Sequence, residues 1–307
     1  MKRPVLIAVL CLCASLVVMF VGFHDTQGSS PVKTHTIALL TQEDTGSFLL
    51  QLRYGAEAAA SEAKDKLTMV TLNRNDPAGQ ITELQTDGIA AILLYAGDDA
   101  LVAAVTKACA ADDVPLALLD RTAPETPCAA SDDVLMGRLA AGQAQFLSAT
   151  RILFLTGKDT AAGQRLQGAK DALGKTLAAS INWIDWADAP SLPNDVRILL
   201  DQNAAVIALT GEATLAAVHL REQGLLGVDN PIIGIDANPE DVTLLEQGLA
   251  AALVLPAPYT MGYRGCALAI AALEGGSVTS VMVEPRLITL SNLYSARNVS
   301  IAFPLLQ

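Results

Sequence analysis

The sequence predicts an α/β protein built on two doubly wound parallel sheets and preceded by an apolar N-terminal helix. From His35 onward, short apolar runs alternate with amphipathic stretches, which is the pattern of repeated βα units. The apolar runs are continuous, as expected for strands that helices cover on both faces. These runs are too numerous for one sheet of ordinary size, so two sheets are favoured.

The N-terminal segment, residues 1–25, has the layout of an export signal or membrane anchor. Lys2 and Arg3 precede an uncharged run from Pro4 to Phe23. At about 1.5 Å per residue, such a run spans a hydrocarbon core of about 30 Å. It is longer than an ordinary signal peptide core and no A-x-A cleavage site follows it, so a retained anchor and a cleaved signal both stay open. In both cases the basic residues stay in the cytosol and the rest of the chain is exported.

Short apolar runs define the predicted strands, and the amphipathic stretches between them define the predicted helices. The candidate strands are Thr36–Leu40, Thr68–Leu72, Ala90–Tyr95, Pro115–Leu119, Arg151–Leu155, Ser180–Ile184, Ala205–Thr210, Pro231–Ile235, Ala251–Leu255 and a last one near Met282–Thr289. The candidate helices include Leu50–Ala63, Asp99–Ala111, Met136–Ser148, Ala162–Leu177, Glu212–Gln223 and Tyr259–Leu273.

Three cysteines lie outside the apolar run, namely Cys109, Cys128 and Cys266. Export to an oxidising compartment would permit a Cys109–Cys128 disulfide that leaves Cys266 free. Three independently buried thiols explain the same residues equally well.

Composition and motifs exclude several classes of function. Acidic residues outnumber basic ones by 32 to 20 and no basic stripe occurs, which argues against a nucleic-acid partner. The histidines are scattered without metal-ligand spacing, and no G-x-S-x-G nucleophile motif is present. We therefore expect no enzyme, no metal site and no cofactor.

Polar residues collect directly after the predicted strands, where open α/β sheets bind their ligands. The segments concerned are Thr41–Phe48, Asp120-Arg121-Thr122, Gly157–Arg165, Thr210-Gly211-Glu212 and Asp236-Ala237-Asn238.

In order and spacing, several motifs over roughly residues 35–290 resemble the periplasmic sugar-binding proteins of the ribose type. This is the type I periplasmic binding protein fold, shared with the ligand domains of LacI-like repressors. The motifs are Phe48 with Arg53-Tyr-Gly-Ala56 downstream, Leu118-Leu-Asp-Arg121, Ser131-Asp132-Asp133, Arg165-Leu-Gln-Gly168 and Gly234-Ile-Asp-Ala237.

The resemblance implies two similar lobes joined by a hinge of three chain crossings, with a sugar held between them. Crossings are expected near Ser131–Asp133, Ala257–Pro258 and Glu284–Leu287. The expected N-terminal lobe comprises residues 34–131 plus 258–285, and the C-terminal lobe comprises 132–257 plus 286–307.

The resemblance also assigns ligand contacts to individual residues. These are Phe48, Asp120, Arg121, Arg165, Trp186, Thr210 and Asp236. The aromatic rings would stack on the C–H face of the sugar, while arginine donors and aspartate acceptors would bind its hydroxyl groups. Each residue also has a structural interpretation, such as an Asp120–Arg121 surface ion pair, a solvated Arg165, an Asp236 helix cap, or core packing of Phe48 and Trp186.

The chain departs from the ribose-type pattern at several of its ligand positions. Thr210-Gly211 stands where that pattern has an Asn-Asp pair, Pro256 lies near its Gln, and Gly46 replaces its Asn. These departures count against ribose itself as the ligand.

The sequence therefore predicts a periplasmic or otherwise extracytoplasmic solute-binding protein that delivers a sugar-like molecule to the membrane permease of an ABC importer. The alternative is a ligand sensor, anchored in the membrane through residues 4–23, that signals to a receptor or kinase. A retained anchor and the altered pocket both favour this alternative.

Overall fold

The computed structural model describes residues 34–42, 46–157, 159–174, 177–182, 204–235 and 242–302, together with 196, 198 and 200. The predicted N-terminal apolar helix, Trp186 and Asp236 lie outside these residues. In the part of the chain that is described, no helix is both long and apolar enough to cross a membrane.

The elements of the described chain alternate between strand and helix over most of its length. The strands are β1 (Thr36–Thr41), β2 (Lys66–Thr71), β3 (Ile89–Tyr95), β4 (Leu116–Leu119), β5 (Cys128–Ser131), β6 (Arg151–Thr156), β7 (Leu177–Asn182), β8 (Ala205–Ala208), β9 (Ile232–Ile235), β10 (Ala252–Leu255), β11 (Val281–Val283) and β12 (Arg286–Ile288). The helices are α1 (Ser47–Glu62), α2 (Pro77–Thr86), α3 (Asp99–Ala111), α4 (Asp133–Phe146), α5 (Thr160–Leu173), α6 (Gly211–Glu222), α7 (Val242–Glu246), α8 (Pro258–Leu273) and α9 (Ala296–Ala302).

The strands form two sheets of like topology. The first has the order β11-β5-β4-β3-β1-β2 and is parallel throughout. The second has the order β12-β10-β9-β8-β6-β7 and is parallel except for β12, which runs antiparallel to β10. Two parallel-sheet lobes are thus present, as the alternating sequence pattern predicts.

Both faces of each sheet are buried, which explains why the strand sequences are continuously apolar. In β1, Ile37 and Leu39 pack into one hydrophobic cluster while Ala38 and Leu40 pack into another. In β6, Leu153 and Leu155 likewise pack into one hydrophobic cluster, whereas Ile152 and Phe154 pack into another. Helices on both sides of each sheet exclude water from these strands.

The chain passes from one sheet to the other three times: between β5 and β6, between β10 and β11, and between β11 and β12. Helix α4, which follows β5, packs on strands of the second sheet, and α8, which follows β10, packs on strands of the first. The crossover helices therefore begin the return to the other sheet immediately after 131 and 257.

Two pairs of helices, α1 with α8 and α4 with α5, meet at glycines. A Cβ atom added to Gly137 would lie 1.8 Å from the carbonyl oxygen of Arg165, and one added to Gly168 would lie 2.0 Å from that of Val134. In the other pair, a Cβ on Gly55 would lie 1.9 Å from the carbonyl oxygen of Tyr259. Backbone-to-backbone contact at this distance leaves no room for a side chain.

The structure corrects some of the predicted elements. The last predicted strand, near Met282–Thr289, is two short strands, β11 and β12, which belong to different sheets. Strand β5 was not predicted, because Cys-Ala-Ala-Ser lacks the branched and aromatic residues typical of strands. Cys109, Cys128 and Cys266 are free, buried thiols, so the disulfide alternative is not realised.

Candidate functional site

A cavity of about 910 Å³ lies at the carboxyl ends of strands in the first sheet. Its opposite wall is formed by the N-terminal ends of helices that pack on the second sheet, including α5 and α6. Four of the predicted contact residues line it together: Asp120, Arg121, Arg165 and Thr210. The first two follow β4 of the first sheet, whereas the last two belong to helices of the second.

Asp120 occupies an unusual backbone position at the end of β4. Its φ angle of 54° is in the left-handed region, which costs a non-glycine residue of the order of 1 kcal/mol although Asp tolerates it better than most. Its carboxylate oxygen Oδ1 accepts a hydrogen bond of 2.9 Å from Ser131 Oγ. The carboxylate is therefore fixed at the cavity wall by the neighbouring strand β5.

Arg121 is held by acceptors from the loop and helix after β3. Its Nη1 donates to Asp99 Oδ1 at 2.7 Å, and its Nη2 donates to the carbonyl oxygen of Gly97. The ion pair of Arg121 is thus with Asp99, rather than with Asp120 as the surface-pair interpretation supposed. With 29% of the side chain exposed, this guanidinium is accessible from the cavity.

Arg165 is a buried arginine, with only 4% of its surface exposed. Its Nε donates to Asp133 Oδ1 at 2.7 Å and its Nη1 donates to the carbonyl oxygen of Leu209 at 2.9 Å. A buried guanidinium needs such partners, because an unpaired buried charge is costly. The interpretation of Arg165 as a solvated helix residue is therefore wrong.

Thr210 is the N-cap of α6. Its Oγ1 accepts a hydrogen bond of 3.1 Å from the backbone N–H of Ala213. Asp132 and Asp159 cap α4 and α5 in the same manner, each accepting a first-turn N–H at 2.8 Å. Each N-terminus that meets at the cavity thus has a first-turn N–H bound by a side chain of the protein itself.

Phe48 lies in α1 and is half-buried. Its ring stacks on Tyr95, with 5.7 Å between the ring centroids and 26° between the planes. Tyr95 lines a smaller neighbouring cavity of about 130 Å³, to which Asp120 and Arg121 also contribute. The structure thus places Phe48 behind Tyr95, whereas the large cavity is lined, among the described residues, by non-aromatic side chains.

Three residues at the cavity acquire a role that the sequence analysis did not assign. Asp99, Ser131 and Asp133 each hold a predicted contact residue in place. The motif Ser131-Asp132-Asp133 was part of the family resemblance and could have pointed to Ser131 and Asp133, whereas nothing in the sequence links Asp99 to Arg121.

Among the described residues, carboxylates outnumber cations on the cavity wall. The acidic residues are Asp99, Asp120, Asp132, Asp133, Asp159 and Glu212, and the basic ones are Lys107, Arg121 and Arg165. Both arginines are already paired with an aspartate. Such a wall suits a neutral ligand with many hydroxyl groups better than an anion. Within the described residues, no cluster of His, Cys, Asp and Glu is suited to hold a metal ion.

Comparisons with known proteins agree with this architecture. A family model described as a periplasmic binding protein domain matches residues 37–277. The ribose import binding protein RbsB of Salmonella typhimurium is 24% identical over 278 residues, covering 84% of this chain and 91% of the relative.

Solved structures with the same fold include an ABC transporter solute binding protein from Agrobacterium vitis bound with alpha-D-tagatopyranose. It is 20% identical, with a TM-score of 0.70, and the match covers 87% of this chain and 99% of that one. A chain of a mutant XylFII–LytSN complex is 17% identical with a TM-score of 0.67, and the match covers 85% of this chain and 99% of that one. The family resemblance is confirmed: the chain belongs to the periplasmic binding proteins, a family of solute binders rather than enzymes.

Proposed function

We propose that this chain is an extracytoplasmic solute-binding protein that captures a sugar-like molecule in the large cavity and delivers it to an ABC importer. The observation that carries the proposal is the cavity itself. Asp120 and Arg121 from the first sheet and Arg165 and Thr210 from the second line the same space. A ligand bound there would bridge the two halves of the molecule.

The residue types at the cavity fit a polyhydroxyl compound. A sugar hydroxyl both donates and accepts, so a carboxylate such as Asp120 and a guanidinium such as Arg121 can each bind one. Hydrogen bonds to charged groups contribute about 1.5–3 kcal/mol each. The excess of carboxylates disfavours sugar acids and sugar phosphates by charge repulsion.

The relatives support the same class of ligand. The relative from Salmonella typhimurium is named a ribose import binding protein, and a solved structure with the same fold contains a bound tagatopyranose. The departures at Thr210-Gly211, Pro256 and Gly46 still count against ribose as the ligand of this chain.

Ligand binding would close two lobes about the three chain passages. We assign residues 34–131 plus 258–285 to one lobe and 132–257 plus 286–307 to the other. Closure stabilised by contacts from both lobes gives a permease a conformation to recognise. Trp186 and Asp236 are further ligand contacts that we propose on the ribose-type pattern. Phe48 does not line the large cavity, so its proposed contact requires closure of the lobes.

The proposal is tested by a thermal-shift screen of pentoses, hexoses and polyols, followed by calorimetry on the sugar with the largest shift. Replacing Arg121 by Gln should weaken the affinity of the protein for that sugar about tenfold or more, because a charged hydrogen bond is lost. The matched control is Arg138→Gln in α4, an exposed arginine outside the cavity lining. If no compound shifts the melting temperature, or if both variants bind alike, the proposal fails.

A second candidate function is a membrane-tethered sensor, favoured by the uncharged run Pro4–Phe23 and by one structural neighbour. XylFII shares the fold and was solved in complex with a second protein, LytSN. Sequencing the N-terminus of the exported protein separates the two functions. A mature start near Gln27, in a gene cluster with a permease and an ATPase, supports the carrier, whereas an intact Pro4–Phe23 segment supports the sensor.

A further inference from the structure

The first passage between the sheets, residues 131–133, contacts both halves of the proposed site. At its start, Ser131 Oγ donates to Asp120 Oδ1 at 2.9 Å, and its backbone N–H approaches the same oxygen at 3.4 Å. At its end, Asp133 Oδ1 accepts from Arg165 Nε at 2.7 Å. Three consecutive residues therefore connect a first-sheet ligand group to a second-sheet ligand group.

Asp132, the central residue of this passage, makes two hydrogen bonds that fix the position of the passage. The Asp132 carboxylate caps α4 by accepting the backbone N–H of Leu135 at 2.8 Å. Its own backbone N–H donates at 3.3 Å to the carbonyl oxygen of Val283, the last residue of β11. The positions of Ser131 and Asp133 are thus set by the N-terminus of α4 on one side and by the end of strand β11 on the other.

Burial makes these contacts strong enough to orient their partners. Ser131 is 5% exposed and Arg165 is 4% exposed, so water competes poorly for either hydrogen bond. Both involve an ionised group, and such bonds are about twice as strong as neutral ones. Asp120 depends further on its partner, because its left-handed backbone must be held by its surroundings.

We propose that Ser131 and Asp133 are positioning residues that orient Asp120 and Arg165 for ligand binding, an inference that rests on the proposed function. Ser131 acts through Asp120 and Asp133 acts through Arg165. One short passage thus carries the contacts that hold a cavity residue of each lobe.

A double-mutant cycle tests the role of Ser131. The probe is the pentose, hexose or polyol that gives the largest thermal shift with the wild-type protein. Ser131→Ala should weaken its affinity about tenfold in calorimetry, since the carboxylate loses a charged hydrogen bond. In the Asp120→Asn background the same change should cost about twofold or less, because its target is already altered. A merely structural role would lower the melting temperature without such non-additivity.

A second cycle pairs Asp133→Asn with Arg165→Lys and should show the same non-additive loss. Arg138→Gln, in the exposed face of α4, serves as the control that leaves affinity unchanged. If Ser131→Ala and Asp133→Asn cost the same factor in both backgrounds, or cost nothing, the positioning role is refuted while the proposed function stands. If no pentose, hexose or polyol binds the wild-type protein, or if Asp120→Asn and Arg165→Lys leave the affinity unchanged, the proposed function fails and the inference with it.

Discussion

The two arginines of the cavity differ in how much the fold depends on them. The side chain of Arg165 is 5% exposed and that of its partner Asp133 is 15% exposed, whereas the Arg121–Asp99 pair is 29% and 79% exposed. Removing one member of a buried pair leaves the other charge without compensation, while an exposed pair contributes little. Arg165 therefore stabilises the fold in addition to lining the cavity, whereas the fold depends little on Arg121.

We expect Arg165→Ala to lower the free energy of unfolding by about 3 kcal/mol, because it removes the guanidinium of a largely buried ion pair from the Asp133 carboxylate. Arg121→Ala should lower it by about 1 kcal/mol or less. Urea denaturation of the unliganded proteins measures both values. Equal losses for the two variants would show that burial does not separate their roles.

The buried thiols predict a loss of stability at alkaline pH. Burial, with a smaller contribution from nearby Asp112, raises the pKa of Cys109 from 9.0 to about 12. Burial, with a smaller contribution from Asp65, raises the pKa of Cys266 to about 12 as well. Both thiols are therefore protonated in the folded protein across a range in which the unfolded chain ionises. The contribution of the protonated thiols to the free energy of unfolding is complete below pH 9, and it is lost as the pH rises from 9 toward 12.

We expect the free energy of unfolding to fall between pH 8.5 and about pH 10.5, and to fall less in the Cys109→Ala/Cys266→Ala double variant. Urea denaturation at a series of pH values makes the comparison. An identical pH dependence in both proteins would mean that the thiols do not ionise differently in the folded and unfolded states.

At the residue scale, sequence could predict which groups reach the cavity but not what holds them. Asp120 and Arg121 follow a strand, and strand ends locate ligand sites in this class of fold. The partners Asp99 and Asp133 come from other elements, and pairing across elements depends on the assembled geometry. Phe48 shows the same limit, since its contact with Tyr95 could not be anticipated from spacing.

At the scale of secondary-structure elements, each lobe contains a pair of closely packed helices. Gly137 and Gly168 let α4 and α5 approach until backbone atoms touch, beside the carbonyl oxygen of Arg165. By contrast, Gly142 in α4 and Gly163 in α5 face open space. Each helix thus offers one glycine that packing requires and one that it does not.

We expect Gly137→Ala and Gly168→Ala each to destabilise the protein by about 1–3 kcal/mol, since the new methyl group forces the helices apart. Gly142→Ala and Gly163→Ala are the matched controls and should stabilise it by about 0.5–1 kcal/mol through helix propensity. Thermal and urea denaturation distinguish these outcomes. Destabilisation by all four substitutions alike would contradict the close-contact account.

Most elements could be predicted because buried parallel strands carry a strong apolar signal, as in β3 with Ile89–Tyr95. The elements that were missed lack that signal. Strand β5 is composed of small residues, and α2 has Ile81 as its one buried residue. The split between β11 and β12 was also beyond sequence, since which sheet a three-residue strand joins depends on its neighbours.

At the scale of the whole molecule, two sheets linked by three passages present polar side chains to one cavity from both sides. Family membership accounts for this architecture and for the absence of catalytic motifs in the sequence. The central claim is that Asp120 and Arg121 act with Arg165 and Thr210 on one sugar-like molecule.

A crystal structure of the protein with the sugar of highest affinity tests this claim most directly. We predict electron density for the sugar in the large cavity, with hydroxyl groups within hydrogen-bonding distance of Asp120 or Arg121 on one side and of Arg165 or Thr210 on the other. Density for the sugar outside this cavity, or contact with residues of only one sheet, would contradict the account.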